Sequence, residues 1–416
     1  NRQSRCQVAQ FLEVYMNYEL VGHLRQDLDE GMTFKYIPNA KNQLSLSLPI
    51  RSEPYAEKEC KNFFDALLPE SERARRAIAN HYGATNSNSP FSLLKAVGRD
   101  CAGAISFYEE GQKPTTTTGG DLKILSDREL AKLIEELPSR PLFTGVEGVR
   151  ISLAGIQDKA AVILTDDGKI ALPIERPSTH ILKPALLDLQ ESAVNEFLTM
   201  TLAKDLNLDC AEVELRRAGD REYLLVKRFD RQLQPDGSLT RIHQEDFCQV
   251  LNIPSLNKYE IDGGPSIKMC FELMDNTRVP AKSKLTLLDQ ILFNYIVGNT
   301  DAHGKNYSLL YKSKGKPILA PLYDCLSLSM MESLSKEMAM RIGKQSGINN
   351  VSEKNWRDFS QTCSISFNKI RTRIDELTET TEALLSMPQK TKSAFEKLWR
   401  DAMLERCQLA RKSIGL

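Results

Sequence analysis

Apolar residues recur along this chain mostly at strand spacing in its first half and at helix spacing in its second. Residues 11–16 and 18–24 form two β-type runs around Asn17, which predicts a hairpin. Residues 44–48 alternate strictly as Leu, Ser, Leu, Ser, Leu and predict a half-buried strand that Pro49 stops. Helical spacing follows at 60–68, 71–81 and 91–97, then a strand at 104–107. Ser126-Asp127-Arg128-Glu129 has the form of a capping box and opens a helix through Leu137, which Pro138 ends. A strand at 160–164, a turn at 166–169 and a second strand into Pro173 come next. Strands at 211–215 and 223–226 flank the turn at Gly219-Asp220, after a helix over 190–206. Beyond Gln244 the pattern is largely helical, with apolar spacing of three and four at 247–251, 267–274, 285–297, 356–364, 370–377 and 393–410.

Composition narrows the class. A chain of 416 residues exceeds what one hydrophobic core usually serves, so two or three domains or lobes are expected. Lys plus Arg equals Asp plus Glu at 55 each, so no global basic field points to nucleic acid. The nine cysteines are scattered with no C-x-x-C, which favours reduced thiols over disulfides or a zinc site. No stretch approaches eighteen consecutive apolar residues. A soluble cytoplasmic protein without membrane contact is expected.

The chemistry gathers where the apolar run ending at Val297 stops. Asp301, His303, Lys305 and Asn306 fall within six positions, between Gly298 on one side and Gly304 inside the cluster, so the backbone is expected to turn there. An Asp followed five residues later by an Asn is the spacing of kinase catalytic loops, where the Asp accepts the acceptor hydroxyl's proton and the Asn holds magnesium. Asp324, after Tyr323 and an apolar run at 317–322, is placed to supply the second metal carboxylate. Asp and Asn are also common in turns and caps, so the spacing alone is weak. Upstream segments stand in the order a kinase needs. The loop Ala154-Gly155-Ile156-Gln157-Asp158-Lys159 lacks the G-x-x-x-x-G-K-[ST] form, but between strands its small residues let backbone N–H groups approach phosphates. Lys183 ends a short apolar strand and matches a phosphate-holding lysine, which Glu191 or, by preference, Glu196 would orient. Lys227, Arg228 and Phe229 follow a strand where a nucleotide base is read by backbone groups, and Asp230 would reach the ribose.

Taken together, FKY, LSLSLP, FFDALLPE, GRD at 98–100, ISLAGIQDK, STHILKP, VKRFDR, QEDFCQ, DGGP, GNTDAHGKN and PLYD resemble the HipA family of serine/threonine kinases, toxins of bacterial toxin–antitoxin pairs, over nearly the whole chain. The resemblance implies an α/β N-terminal lobe and an all-α C-terminal lobe in a kinase-like arrangement. Its parts would be a family-type N-terminal subdomain over 1–140, a kinase N-lobe core over 141–230 and a helical C-lobe over 231–416. It implies Asp301 as catalytic base and Asn306 and Asp324 as ligands of Mg²⁺. ATP would contact 154–159, Lys183, residues 227–230, His303, Gly304, Lys305, Asn306, Tyr323 and Asp324. Ser152 matches the serine that members autophosphorylate, which ejects the phosphate loop and silences the enzyme. Ile156 is bulkier than the residue members often carry, and Lys227 replaces what can be an acidic residue. Implied partners are a HipB-like helix-turn-helix antitoxin dimer, operator DNA through that complex, and a translation component such as glutamyl-tRNA synthetase. The alternative is an antitoxin-bound co-repressor with little kinase activity.

Overall fold

The first apolar runs become β1 (Gln10–Met16) and β2 (Glu19–Gln26), an antiparallel hairpin that turns through Asn17 at φ 55°. The computed structural model describes residues 10–416 apart from 28–30, 85, 115–121, 144–149, 151, 156, 175, 187, 236–237, 313–314 and 388–392. The chain forms two compact units and crosses between them more than once. The first takes residues up to Pro184, Ala218–Arg221 and Arg228–Leu256; the second takes Ala185–Arg217, Glu222–Lys227 and Asn257–Leu416.

In the first unit β3 (Met32–Tyr36) and β4 (Ile105–Glu109) complete a sheet of order β3-β2-β1-β4. Three helices accompany it: α1 (Glu57–Asp65), α2 (Glu72–Tyr82) and α3 (Pro90–Val97). Phe64 of α1 meets Phe34 of β3 and Phe107 of β4, ring centroids 5.4 and 5.9 Å away, and all three rings are buried. Burying such a ring contributes roughly 1.5–3 kcal/mol. Residues 44–48 are not the strand that their alternation predicts. Leu48 N donates to Ser45 O at 3.0 Å and Ser47 N to Ser45 Oγ at 3.1 Å, which closes a turn. Ser45 Oγ also donates to buried Glu245. The leucines at 44 and 48 are buried as expected, but Ser45 Oγ takes Ser47 N and Glu245 Oε1 takes Leu46 N at 3.2 Å, donors that a neighbouring strand would have needed.

β5 (Lys123–Ile124), β6 (Ala160–Leu164), β7 (Ile170–Leu172) and β8 (His180–Pro184) form an antiparallel run of order β5-β7-β6-β8. The predicted capping box opens α4 (Asp127–Glu136), with Ser126 Oγ accepting from Glu129 N at 3.3 Å. The second unit begins with α5 (Ser192–Asp205), followed by β9 (Val213–Ala218) and β10 (Arg221–Lys227). The chain then returns to the first unit for the hairpin of β11 (Arg231–Leu233) and β12 (Leu239–Arg241), β13 (His243–Asp246) and the single turn α6 (Phe247–Val250).

The rest belongs to the second unit: α7 (Ile267–Leu273), α8 (Pro280–Val297), α9 (Glu353–Cys363), α10 (Phe367–Ser386) and α11 (Ala394–Ser413). The C-terminal half is not all-α. It carries the strand pairs β14 (Ser308–Tyr311) with β15 (Ile318–Leu319), and β16 (Glu337–Ile342) with β17 (Gln345–Gly347). These runs are too short for their period to stand out against the helical background. The core of this unit is α8, buried on all sides over its last three turns. Arg406 of α11 donates to the Tyr295 and Ile296 carbonyls at 2.6 and 3.3 Å, satisfying acceptors that a helix end leaves unpaired. Among the described residues no helix is long and apolar enough to cross a membrane.

Candidate active site

The candidate groups fall in both units, and each set is built within its own. In the second, α8 stops at Gly298, which has φ 74° and a Cα so close to Ser329 that a Cβ would overlap its Oγ. Only glycine meets both demands. Asn299, buried, donates through Nδ2 to Asn294 Oδ1 at 2.7 Å and accepts from Asp301 N at 3.1 Å, so the turn is anchored to α8 from inside. Asp301 O then accepts from His303 N at 2.7 Å and from Asn306 Nδ2 at 3.1 Å. Sequence spacing put Asp301 and Asn306 five apart, and this short 3₁₀ turn over Gly304–Asn306 makes them neighbours.

The Asp301 side chain is half exposed, and Tyr259 Oη donates to its Oδ1 at 2.6 Å. His303 Nε2 stands 4.0 Å from Asp301 Oδ2, beyond a hydrogen bond, and its Nδ1 is buried without a hydrogen-bond partner among the described residues. Burial first, then the charges of Lys258 and Lys305, push the His303 pKa down to about 3 against an opposing pull from Asp324. The imidazole is therefore neutral at physiological pH. Tyr323 Oη donates to Lys305 O at 2.7 Å and is 2.7 Å from Ser308 Oγ, fixing the chain just before Asp324. Asp324 itself has φ 57°, a left-handed conformation that a side-chain-bearing residue adopts at a cost, and such outliers cluster at functional sites.

Asn306 engages its amide nitrogen with Asp301 O, so the amide oxygen is the atom it can offer a cation, and Asp324 adds a carboxylate. An all-oxygen pair of this kind, completed by phosphates and water, fits Mg²⁺ and not a softer metal. Among the described residues no cluster of three or more His, Cys, Asp or Glu suggests a different metal site.

In the first unit the loop before β6 is docked. Ser152 is fully buried; its Oγ donates to Leu67 O at 2.6 Å and its N to Asp100 O at 3.1 Å. Gly155 O accepts from Glu70 N at 3.1 Å. Lys159 Nζ closes the loop on Ala154 O at 2.8 Å, and a Cβ on Gly155 would stand 2.6 Å from that ammonium. Gln157 Nε2 donates to Pro184 O at 3.2 Å, while Asp158 takes Arg73 at 2.8 Å. Ile156 lies outside the described residues. The register of β6 on β8, Ala160 opposite Leu182, brings the loop to the end of β8 that carries buried Lys183. Of the two glutamates considered beside it, Glu196 is buried in α5 and Glu191 is exposed at its start.

Residues 227–230 divide. Lys227 is exposed in the second unit and pairs with Glu212 at 2.8 Å. Phe229 is half-buried, whereas Arg228 and Asp230 are buried in the first unit. The ribose contact expected of Asp230 gives way to a different role. Its carboxylate accepts from Arg228 at 2.9 and 2.8 Å and from Gly103 N at 2.7 Å, and it pairs with Arg231 at 2.9 Å. Arg231 reaches on to Asp100 at 2.7 Å, and Asp100 accepts from Ser178 N and Oγ at 3.0 and 2.7 Å. Burial alone would raise the Asp100 carboxyl; Arg231, Arg228 and Arg241 outweigh it and hold it well below the ordinary carboxylate range.

Sequence reasoning missed Tyr259 and Asn299. The pattern Asn-Thr-Asp carries a signal for the second, since an Asn commonly bonds the backbone two residues on. Nothing local points to Tyr259.

Comparison with known proteins supplies context. A sequence model of the HipA-like C-terminal domain matches residues 151–385, and one of the HipA N-terminal domain matches residues 12–108. Y4mE of Sinorhizobium fredii, named as a candidate kinase, is 40% identical over 97% of this chain and 99% of its own. The serine/threonine-protein kinase toxin HipA of Shewanella oneidensis is 29% identical over 83% of this chain and 82% of its own. A solved Shewanella oneidensis complex of HipA, HipB and operator DNA contains a chain that aligns with TM-score 0.82 at 26% identity, covering 95% of this chain and 96% of that one.

Proposed function

The chain belongs to the HipA family, and we propose that it is an ATP- and Mg²⁺-dependent serine/threonine protein kinase, the toxin of a type II toxin–antitoxin pair. The observation that carries this reading is the Asp301–Asn306 turn, with Asn306 bonded back to Asp301's own carbonyl. Asp301 accepts the proton of an acceptor serine, Asn306 and Asp324 hold the metal, and Lys183 and the 154–159 loop take the phosphates. The backbone of 227–229 meets adenine. When bound, Mg²⁺ neutralises charge on the transferring phosphoryl group. The protein's own contribution is positioning and a charge-complementary setting.

Ser152 is the self-modification site on this reading. Its hydroxyl is engaged by Leu67 O, so modification needs that segment to leave, and a phosphate of nearly two negative charges would prevent its return. The target is a translation component, glutamyl-tRNA synthetase being the first to test. A HipB-like antitoxin dimer binds the chain and carries it to operator DNA, a reading favoured by the HipA, HipB and operator complex of the relative.

Asp301→Asn is expected to lower γ-phosphate transfer by about 10²–10⁴-fold. The same variant should still co-purify with its antitoxin and shift operator DNA. Undiminished transfer would remove Asp301 as base; lost antitoxin binding would show a fold defect. Ser152→Ala should keep transfer to a substrate protein and lose self-modification, read by mass spectrometry. Phosphate mainly elsewhere refutes that site.

A further inference from the structure

Residues 257–264 carry none of the roles assigned above, yet they touch the Asp301 turn at three points. Tyr259 Oη donates to Asp301 Oδ1 at 2.6 Å, its ring meets His303 edge-on with centroids 5.3 Å apart, and Lys258 O accepts from Gly304 N at 3.1 Å. The segment is itself pinned. Tyr259 O accepts from Asp262 N and Gly264 N at 3.0 and 2.9 Å, Asn257 Nδ2 donates to Asp262 O at 2.7 Å, and Glu260 Oε2 accepts from Arg341 N of β16 at 2.6 Å. Here the Asp262-Gly263-Gly264 run acquires a purpose. Gly263 has φ 86°, and a Cβ on Gly264 would overlap the carbonyl oxygens of Asn257 and Tyr259.

A half-exposed carboxylate on a turn rotates readily, and a base that rotates meets its acceptor hydroxyl in the right geometry only part of the time. A phenol bonded to one oxygen, on a ring braced by a buried imidazole, restricts that rotation. We infer that Tyr259 is a positioning residue for phosphoryl transfer, fixing the Asp301 carboxylate, and that the glycine turn at 263–264 holds Tyr259 in place. This rests on the kinase reading and adds to it the residue that orients the base.

The test is the ATP dependence of phosphate incorporation by the full chain, unaltered and as Tyr259→Phe and Gly264→Ala. Tyr259→Phe keeps the ring against His303 and loses only the hydroxyl. Its maximal rate should fall about 10–100-fold, as for other residues that orient a reacting group. Its KM for ATP should stay within about twofold, because ground-state nucleotide binding is untouched. The thermal midpoint should not move. Gly264→Ala should share the rate loss. An unchanged maximal rate in Tyr259→Phe, or an effect confined to KM, overturns the inference and leaves the kinase reading standing. A faster rate also overturns it, since the hydroxyl would then be occupying the acceptor's place. No incorporation by the unaltered chain overturns the kinase reading and the inference with it.

Discussion

In the first unit Asp100, Arg228, Asp230 and Arg231 neutralise one another in a buried cluster, with Ser178 and Gly103 N occupying further acceptor positions. In the second, Asp301 is half exposed, Asp324 sits at φ 57°, and His303 is buried with Nδ1 unpaired among the described residues. Both groups combine aspartate with cations, and both lie in motifs dense in charge. The first spends nearly all of its donors and acceptors internally, with Arg231 Nε left buried without a hydrogen-bond partner among the described residues, and such a network can specify structure. The second keeps a carboxylate at the surface and holds Asp324 in a left-handed backbone conformation, a kind of outlier that clusters at functional sites. Charge density alone did not distinguish them; the difference is burial, the carboxylates of the first group being almost fully enclosed and that of Asp301 half exposed.

The largest expected effects come from removing one acid from each region. Asp301→Asn should lose phosphoryl transfer while its urea midpoint stays that of the unaltered chain. Asp230→Ala should instead cost about 3–5 kcal/mol in urea unfolding, because two buried guanidiniums are left to share the Asp100 carboxylate. If the 301 variant is the unstable one, the contrast is wrong.

Acidification is the next probe. Burial lowers His303 to about 3 and His243, in the first unit, to about 4, against 6.5 for the unfolded chain. Between those values the unfolded state binds protons that the folded state refuses, so this stability is complete above about pH 6.5 and drains away as pH falls toward 4. Urea midpoints at pH 7 and 5 should differ, and by less in His303→Asn, because that variant has no imidazole to protonate on unfolding. A slope unchanged in the variant would show that the imidazole is not held neutral.

The smallest effect is expected of Lys227→Ala. Its ion pair with Glu212 is exposed, so neither stability nor nucleotide affinity should change measurably, the proposed base contact being through the backbone. A clear loss of nucleotide affinity would show that the side chain takes part.

Much of the fold was legible from short-range pattern. The hairpin around Asn17, the strand at 160–164, the capping box at Ser126 and the long apolar helix before Gly298 all appear where spacing predicts them. The Asp301–Asn306 pair was legible for the same reason, since five residues on a turn meet without help from the rest of the chain. Residues 44–48 misled because Glu245, two hundred positions away, turns a strand-like alternation into a buried turn. Asp230 misled because the partners that claim it come from Gly103 as well as from its neighbours.

By itself, then, the amino-acid order determined most of the helices and the longer strands, though not the turn at 44–48 or the short strand pairs β14–β17, and it placed an acid, an amide and a lysine in the order that kinase loops use. Periodicity reports which side of an element is buried, and that is a local property. Tertiary structure alone decided which charges are buried against one another and which reach the surface, and that Tyr259, 42 residues from Asp301, reaches its carboxylate. The physical reason is that a buried charge is defined by its neighbours in space, and loop closure brings those from positions that no local pattern records.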